Sequence, residues 1–90
     1  MRMQIKEFAI ATGVSIRTIH YYDEIGLLTP AYVDKITGYR YYDENSILRM
    51  QEILFYRELD FSLKSIKEIL TSPNYDKNKV FNEQKELLIL

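Results

Sequence analysis

The chain has no cysteine and no tryptophan, and its 90 residues include one histidine, three glycines and two prolines. Without cysteine there can be no disulfide, no thiolate metal site and no cysteine nucleophile in this stretch, which favours a reducing compartment. The chain also lacks an apolar run of about 18 residues and a signal-like start, so nothing in it predicts a membrane partner. We therefore expect a soluble protein of the cytoplasm.

Positive charge is not in excess either. Twelve basic and thirteen acidic side chains give a net charge of −1, which falls short of the basic character typical of nucleic-acid-binding domains. Basic residues outnumber acidic ones only in residues 1–42. If a polyanion binds this chain, the first half is therefore the expected place.

Residues for catalysis are missing as well. A single histidine, no glycine-rich phosphate loop and no paired carboxylates at helical spacing leave nothing from which to assemble a catalytic site. Asp23 and Glu24 are neighbours that point apart on a helix. The sequence thus predicts that the chain is not an enzyme and holds no cofactor and no metal.

The first thirty residues predict two short helices joined by a tight turn. Ile5 and Phe8 lie on one apolar face of the first helix, and Gly13 is placed to end it in the left-handed conformation. Ser15 can then cap a second helix, which runs to about Glu24. This arrangement is a helix-turn-helix.

The next segment, AYVDKITGYRYY (31–42), predicts a β-hairpin. Aromatic and β-branched residues flank a polar turn that ends at Gly38. Two further helices follow, with Asp43 and Ser62 as their N-caps. The expected fold is mainly α: a winged helix-turn-helix with a two-stranded wing, followed by two helices and the start of a long coiled-coil helix.

The last part of the chain predicts a dimerisation helix. Val80 and Leu87 lie seven residues apart, as do Phe81 and Leu88, which is the coiled-coil period. We therefore divide the chain into a winged-helix domain (1–72) and the start of a dimerisation helix (73–90). The final residues are apolar and uncapped, so we expect this helix to continue in a longer protein. The predicted dimerisation residues are Val80, Phe81, Gln84, Leu87 and Leu88.

The second helix offers polar groups that suit DNA. At about 100° per residue, Arg17, Thr18 and Tyr21 share one sector. The opposite sector holds Ile16, Ile19 and Asp23, with Tyr22 at its border. An arginine fork and two kinds of hydroxyl can bind phosphate or base edges, and the helix N-terminus at Ser15 adds free amides. We therefore expect this helix to enter a major groove.

Two long strings carry a resemblance to a known family. VSIRTIHYYDEIGLL (14–28) and TGYRYYDENSILRMQEILFYRELDFSLKSIKEIL (37–70) resemble the MerR family of transcriptional regulators in both content and spacing. Within the family, the chain is most similar to the branch of the TipA and Mta multidrug-responsive activators. The similarity depends on His20, where arginine is more usual, and on the segment from residue 72 onward. A neutral histidine lacks the full positive charge of arginine, so any phosphate contact here should be weaker. Because His20 lies at the edge of the packing sector beside Ile16, we expect it to be a structural polar residue.

The resemblance implies a dimeric activator. Such proteins join two winged helices through an antiparallel coiled coil, bind double-stranded promoter DNA, distort its spacer for RNA polymerase, and carry a separate effector domain. The DNA contacts that it implies are Arg17 and Thr18 in the groove, Tyr21 and Tyr22 on phosphate, Tyr39 and Arg40 in the wing, and Lys64 and Lys67 on the backbone.

Two other functions fit the same residues. An excisionase-like factor that bends DNA for recombination would share the winged helix, although it would not need a coiled-coil seam. An adaptor that has lost DNA binding would explain the acidic balance, although the presence of Arg17, Tyr21, Tyr39 and Arg40 argues against it.

Overall fold

The computed structural model describes residues 1–72, which form three short strands and four helices. The elements in chain order are β1 (Met3–Gln4), α1 (Ile5–Thr12), α2 (Ile16–Glu24), β2 (Tyr32–Val33), β3 (Arg40–Tyr42), α3 (Glu44–Glu58) and α4 (Leu63–Thr71). The predicted winged helix-turn-helix is confirmed.

The helix-turn-helix begins and ends where local chemistry predicts. Gly13 ends α1 with φ of 72°, and its amide donates to the Ala9 carbonyl. Ser15 begins α2, where its hydroxyl oxygen accepts a hydrogen bond of 3.1 Å from the amide of Thr18. The three residues between the helices leave room for only one tight turn, which fixes the direction of α2.

The sheet has one more strand than the predicted wing. β3 is the central strand of an antiparallel sheet in the order β1-β3-β2, with Met3 opposite Tyr42 and Tyr32 opposite Tyr41. The sequence predicted only the hairpin of β2 and β3. β1 was missed because two residues are too few to show an alternating pattern.

The last two described helices have the predicted caps. Asp43 and Ser46 form a reciprocal capping box at the start of α3, with two hydrogen bonds of 3.1 Å. The hydroxyl oxygen of Ser62 accepts from the amide of Ser65 at the start of α4. Between these helices Asp60 has φ of 63°, a left-handed conformation at a non-glycine residue that the sequence did not indicate.

One core joins the four helices, β1 and β3. Tyr42 of β3 is fully buried and stacks on Phe8 of α1, with ring centroids 4.4 Å apart and an interplanar angle of 7°. The buried apolar residues are Met3, Phe8, Ile19, Tyr22, Leu27, Leu28, Tyr42, Met50, Ile53, Tyr56, Ile66 and Leu70. The sheet and both halves of the helix-turn-helix are thus held by the same set of side chains.

The predicted dimerisation residues Val80, Phe81, Gln84, Leu87 and Leu88 lie outside the described residues, and the division at residue 72 stays a prediction. Within residues 1–72, no helix is long and apolar enough to cross a membrane. The same residues contain no group of three or more histidine or acidic side chains that could hold a metal ion.

Candidate nucleic-acid interface

The outer face of α2 presents the predicted groove residues. Arg17 is exposed and makes no hydrogen bond or ion pair within residues 1–72, and Tyr21 is 48% exposed. Thr18 is half-buried, and its hydroxyl oxygen accepts a hydrogen bond of 2.9 Å from the hydroxyl of Ser15. Ser15 therefore shapes the start of the helix, while Arg17 and Tyr21 have side chains available to a ligand.

Two residues of α2 differ from the predicted pattern. Tyr22 is 7% exposed and belongs to the core, so only a small part of this side chain is available to a phosphate. Ile16, which was expected to pack, is 40% exposed. It lies in the first turn of α2, where the helix has not yet reached the core, and the prediction for Ile16 was wrong.

The tip of the wing is built by one aspartate. Oδ1 of Asp34 accepts hydrogen bonds from the amides of Ile36 (2.8 Å) and Thr37 (3.0 Å). The bond from Thr37 and then that from Ile36 hold the pKa of the Asp34 carboxyl below its ordinary value, because both favour the charged form. Gly38 closes the turn with φ of 76°. At the apex Ile36 is 95% exposed.

The wing is joined to α2 by an ion pair. Nε of Arg40 lies 2.8 Å from Oδ2 of Asp23, and the side chains are 43% and 15% exposed. A pair this accessible contributes no more than about 1 kcal/mol to stability. Its structural effect is one of orientation, since it ties the first residue of β3 to the last turn of the helix that carries Arg17.

Helix α4 is joined to the end of the same helix. Nζ of Lys67 donates a hydrogen bond of 2.7 Å to the carbonyl of Ile25, the C-cap of α2. A cation is favourable here because the last carbonyls of a helix are unpaired and carry partial negative charge. Lys64 lies one turn away on α4 and is exposed. Both lysines stay predicted DNA contacts, and Lys67 has this additional role.

Arg49 makes a further connection behind this site. Its Nε donates to the carbonyl of Leu27 (3.2 Å) and its Nη1 to the carbonyl of Leu70 (3.3 Å). A single guanidinium thus spans from the loop after α2 to the end of α4. Together with Lys67 and Asp23, it anchors the C-terminal end of α2 to the wing and to both later helices.

This arrangement of helix-turn-helix, wing and two supporting helices matches a known family. The family model described as "MerR HTH family regulatory protein" matches residues 3–72. The chain belongs to the MerR family. It is therefore a DNA-binding helix-turn-helix domain of a regulatory family, which confirms both the resemblance and the prediction that it is not an enzyme.

Two curated relatives are transcriptional activators. The chain is 45% identical to the HTH-type transcriptional activator mta of Bacillus subtilis (strain 168) over 89 residues, which are 99% of this chain and 34% of the relative. It is 40% identical to the activator TipA of Streptomyces coelicolor over 88 residues, 98% of this chain and 34% of that protein. The chain thus spans about a third of the length of these MerR-family relatives.

Two solved structures show the same fold. The crystal structure of MtaN, the N-terminus of the Bacillus subtilis multidrug transporter activator, has a TM-score of 0.78 and 45% identity, over 97% of this chain and 81% of that one. EcmrR in a cryo-EM complex with DNA has a TM-score of 0.76 and 32% identity, over 94% of this chain and 33% of that one.

Three features of this MerR-family site were not predicted from the sequence. Asp23 was placed only in the packing sector of α2, although it binds Arg40. Asp34 was not singled out, although an aspartate that precedes a glycine turn is a known signal for bonds to the following amides. Ile36 had no local signal, because its exposure depends on how far the wing extends from the core.

Proposed function

We propose that this chain is the DNA-binding part of a dimeric MerR-type activator that binds double-stranded promoter DNA in the cytoplasm. The observation that carries the proposal is the link between α2 and the wing. Arg17 and Tyr21 are available on the helix, and the helix is held against the wing by Asp23 and Arg40. The similarity to EcmrR, whose structure was solved on DNA, supports this use of the fold.

The proposed contacts divide into two kinds. Arg17 and Thr18 read base edges in the major groove, assisted by the helix start at Ser15. The other proposed contacts are to the sugar-phosphate backbone of the DNA, through the side chains of Tyr21, Tyr22, Tyr39, Arg40, Lys64 and Lys67. Backbone contacts of this kind tolerate a net charge of −1 on the whole chain, because phosphate responds to the local charge within roughly 10 Å.

We further propose that activation requires the longer protein. Two copies join through the helix that begins in residues 73–90, contact the two halves of a pseudo-palindrome, and distort the promoter spacer so that RNA polymerase engages it. The names of mta and TipA support activation, and that of MtaN supports a response to drugs. These names favour transcription over the excisionase-like alternative.

An anisotropy titration tests the proposal. The 90-residue chain and the full-length protein are titrated, at several salt concentrations, against a duplex that carries the promoter region of the encoding gene and against a scrambled duplex. We expect salt-dependent, sequence-selective binding by the full-length protein and much weaker binding by the chain alone. Equal affinity would contradict the dimer, and no binding to this duplex or to a random pool would contradict DNA binding altogether.

A further inference from the structure

The ion pair between Asp23 and Arg40 engages only one nitrogen of the guanidinium, Nε. A guanidinium has five N–H donors, one at Nε and four at the two Nη atoms. Nε donates to Oδ2 of Asp23 at 2.8 Å. No hydrogen bond engages either Nη atom within residues 1–72, and the side chain is 43% exposed. Asp23 therefore holds the guanidinium by Nε, while the two Nη atoms are left without a hydrogen bond within residues 1–72.

The surroundings of Asp23 favour a fixed geometry. Its side chain is only 15% exposed, and it projects from the last turn of α2, whose Ile19 and Tyr22 are in the core. Arg40 begins β3, which pairs with strands on both sides. The carboxylate and the first atoms of the arginine side chain are thus both attached to rigid backbone, so the direction of the guanidinium is set before any ligand arrives.

An acidic residue at this place would otherwise oppose DNA binding. Its negative charge is expected to repel phosphate, and the pair contributes little to stability because the Arg40 side chain is 43% exposed. Glu24, the next residue, carries the same charge on the same helix end but is exposed and makes no ion pair or hydrogen bond within the described part of the chain. The two acids therefore separate an effect of charge from an effect of geometry.

We infer that Asp23 is a positioning residue for DNA binding: it holds Arg40 by Nε so that the two Nη groups point outward and bind one phosphate as a fork. The inference rests on the proposed function and deepens it. An arginine fork fits a phosphate best when both Nη groups are free and oriented. Asp23 also fixes the wing to the helix that carries Arg17. The distance between the groove contact of Arg17 and the DNA-backbone contact of Arg40 is thereby fixed.

Five variants of the full-length protein test this role, titrated on the promoter duplex across a salt series. Asp23→Ala removes the carboxylate, and Glu24→Ala is the matched control for charge. We expect Asp23→Ala to weaken binding about tenfold, within the range of coupling between contacting residues, and to lower the salt slope by about one, as for a lost phosphate contact. Glu24→Ala should bind at least as tightly as the parent. Asp23→Asn, which keeps an acceptor oxygen, should recover part of the loss.

The last two variants, Arg40→Ala and the double variant with Asp23→Ala, separate positioning from a general effect on the fold. In Arg40→Ala, the further change Asp23→Ala should cost no more affinity, because the group that Asp23 positions is gone. An equal loss in both backgrounds would overturn the inference, as would binding by Asp23→Ala that matches or exceeds that of the parent. If the parent itself shows no salt-dependent binding to any duplex, the proposed function fails, and that result is distinct from a parent that binds while Asp23→Ala has no effect.

Discussion

Removal of one hydroxyl group should make this domain more stable. Tyr42 is fully buried, and its hydroxyl has no hydrogen-bond partner within residues 1–72. A buried polar group without a partner costs about 1–3 kcal/mol of stability. Tyr42→Phe removes that cost while it keeps the ring that stacks on Phe8 at 4.4 Å.

The gain is reduced by the contacts that the oxygen itself makes in a close-packed core. We therefore expect Tyr42→Phe to raise the free energy of unfolding by about 1 kcal/mol, at the low end of that range. For a domain of this size the midpoint of thermal unfolding should rise by roughly 4–8 °C. Tyr41→Phe is the matched control, because Tyr41 is the neighbouring residue on the same strand and is only half-buried.

Alkaline pH gives a second measurement. Burial, and next the charge of Asp23, raise the pKa of the Tyr42 hydroxyl. Because the pKa is raised in the folded state, the hydroxyl ionises at a lower pH in the unfolded state. The free energy of unfolding is therefore unaffected by this ionisation below the ordinary value near 10 and falls as pH rises toward the folded value. Tyr42→Phe should therefore lose less stability above about pH 10 than the parent. Thermal and urea unfolding, followed by circular dichroism, would refute the reasoning if Tyr42→Phe were less stable than the parent at pH 7.

Three further predictions concern the wing and a helix cap. Arg40→Ala should weaken binding to all DNA sequences and lower the salt slope by about one; an unchanged slope in anisotropy titrations would remove it from the contacts. Asp34→Ala should speed amide exchange at Ile36 and Thr37. In the parent, protection of these amides should decrease below about pH 4, because the charged carboxylate accepts their hydrogen bonds and is lost as pH falls through its lowered pKa. Unchanged exchange by NMR would refute this. Asp43→Ala should cost about 1 kcal/mol in urea unfolding, and no loss would mean that the cap is dispensable.

Local chemistry made most helix boundaries predictable. The capping functions of Ser15, Asp43 and Ser62 depend on residues three positions away, so the sequence alone contains both partners. The left-handed turns at Gly13 and Gly38 follow from the freedom of glycine at positive φ. For such features, sequence and structure agree because few other residues take part.

Features that join distant segments were harder to predict. Asp23 and Arg40 are 17 residues apart, and Ile25 and Lys67 are 42 apart. No periodicity connects such pairs, since their distance is decided by how the sheet and α4 pack on α2. The exposure of Ile16 was misjudged for the same reason, as the first turn of a helix can extend past the core that its later turns contact.

The anchoring of α2 at one end has a consequence for how binding preference can change. Asp23, Ile25 and Leu27 connect the C-terminal end of this helix to the wing, α4 and α3. Arg17 lies in the first turn of α2 and Tyr21 just past its middle, and neither side chain makes a bond of this kind within residues 1–72. A substitution at either position therefore leaves the scaffold intact, and Arg17, as the proposed base-reading residue, is the place where mutation and selection can retarget the domain to a new operator at little cost in folding.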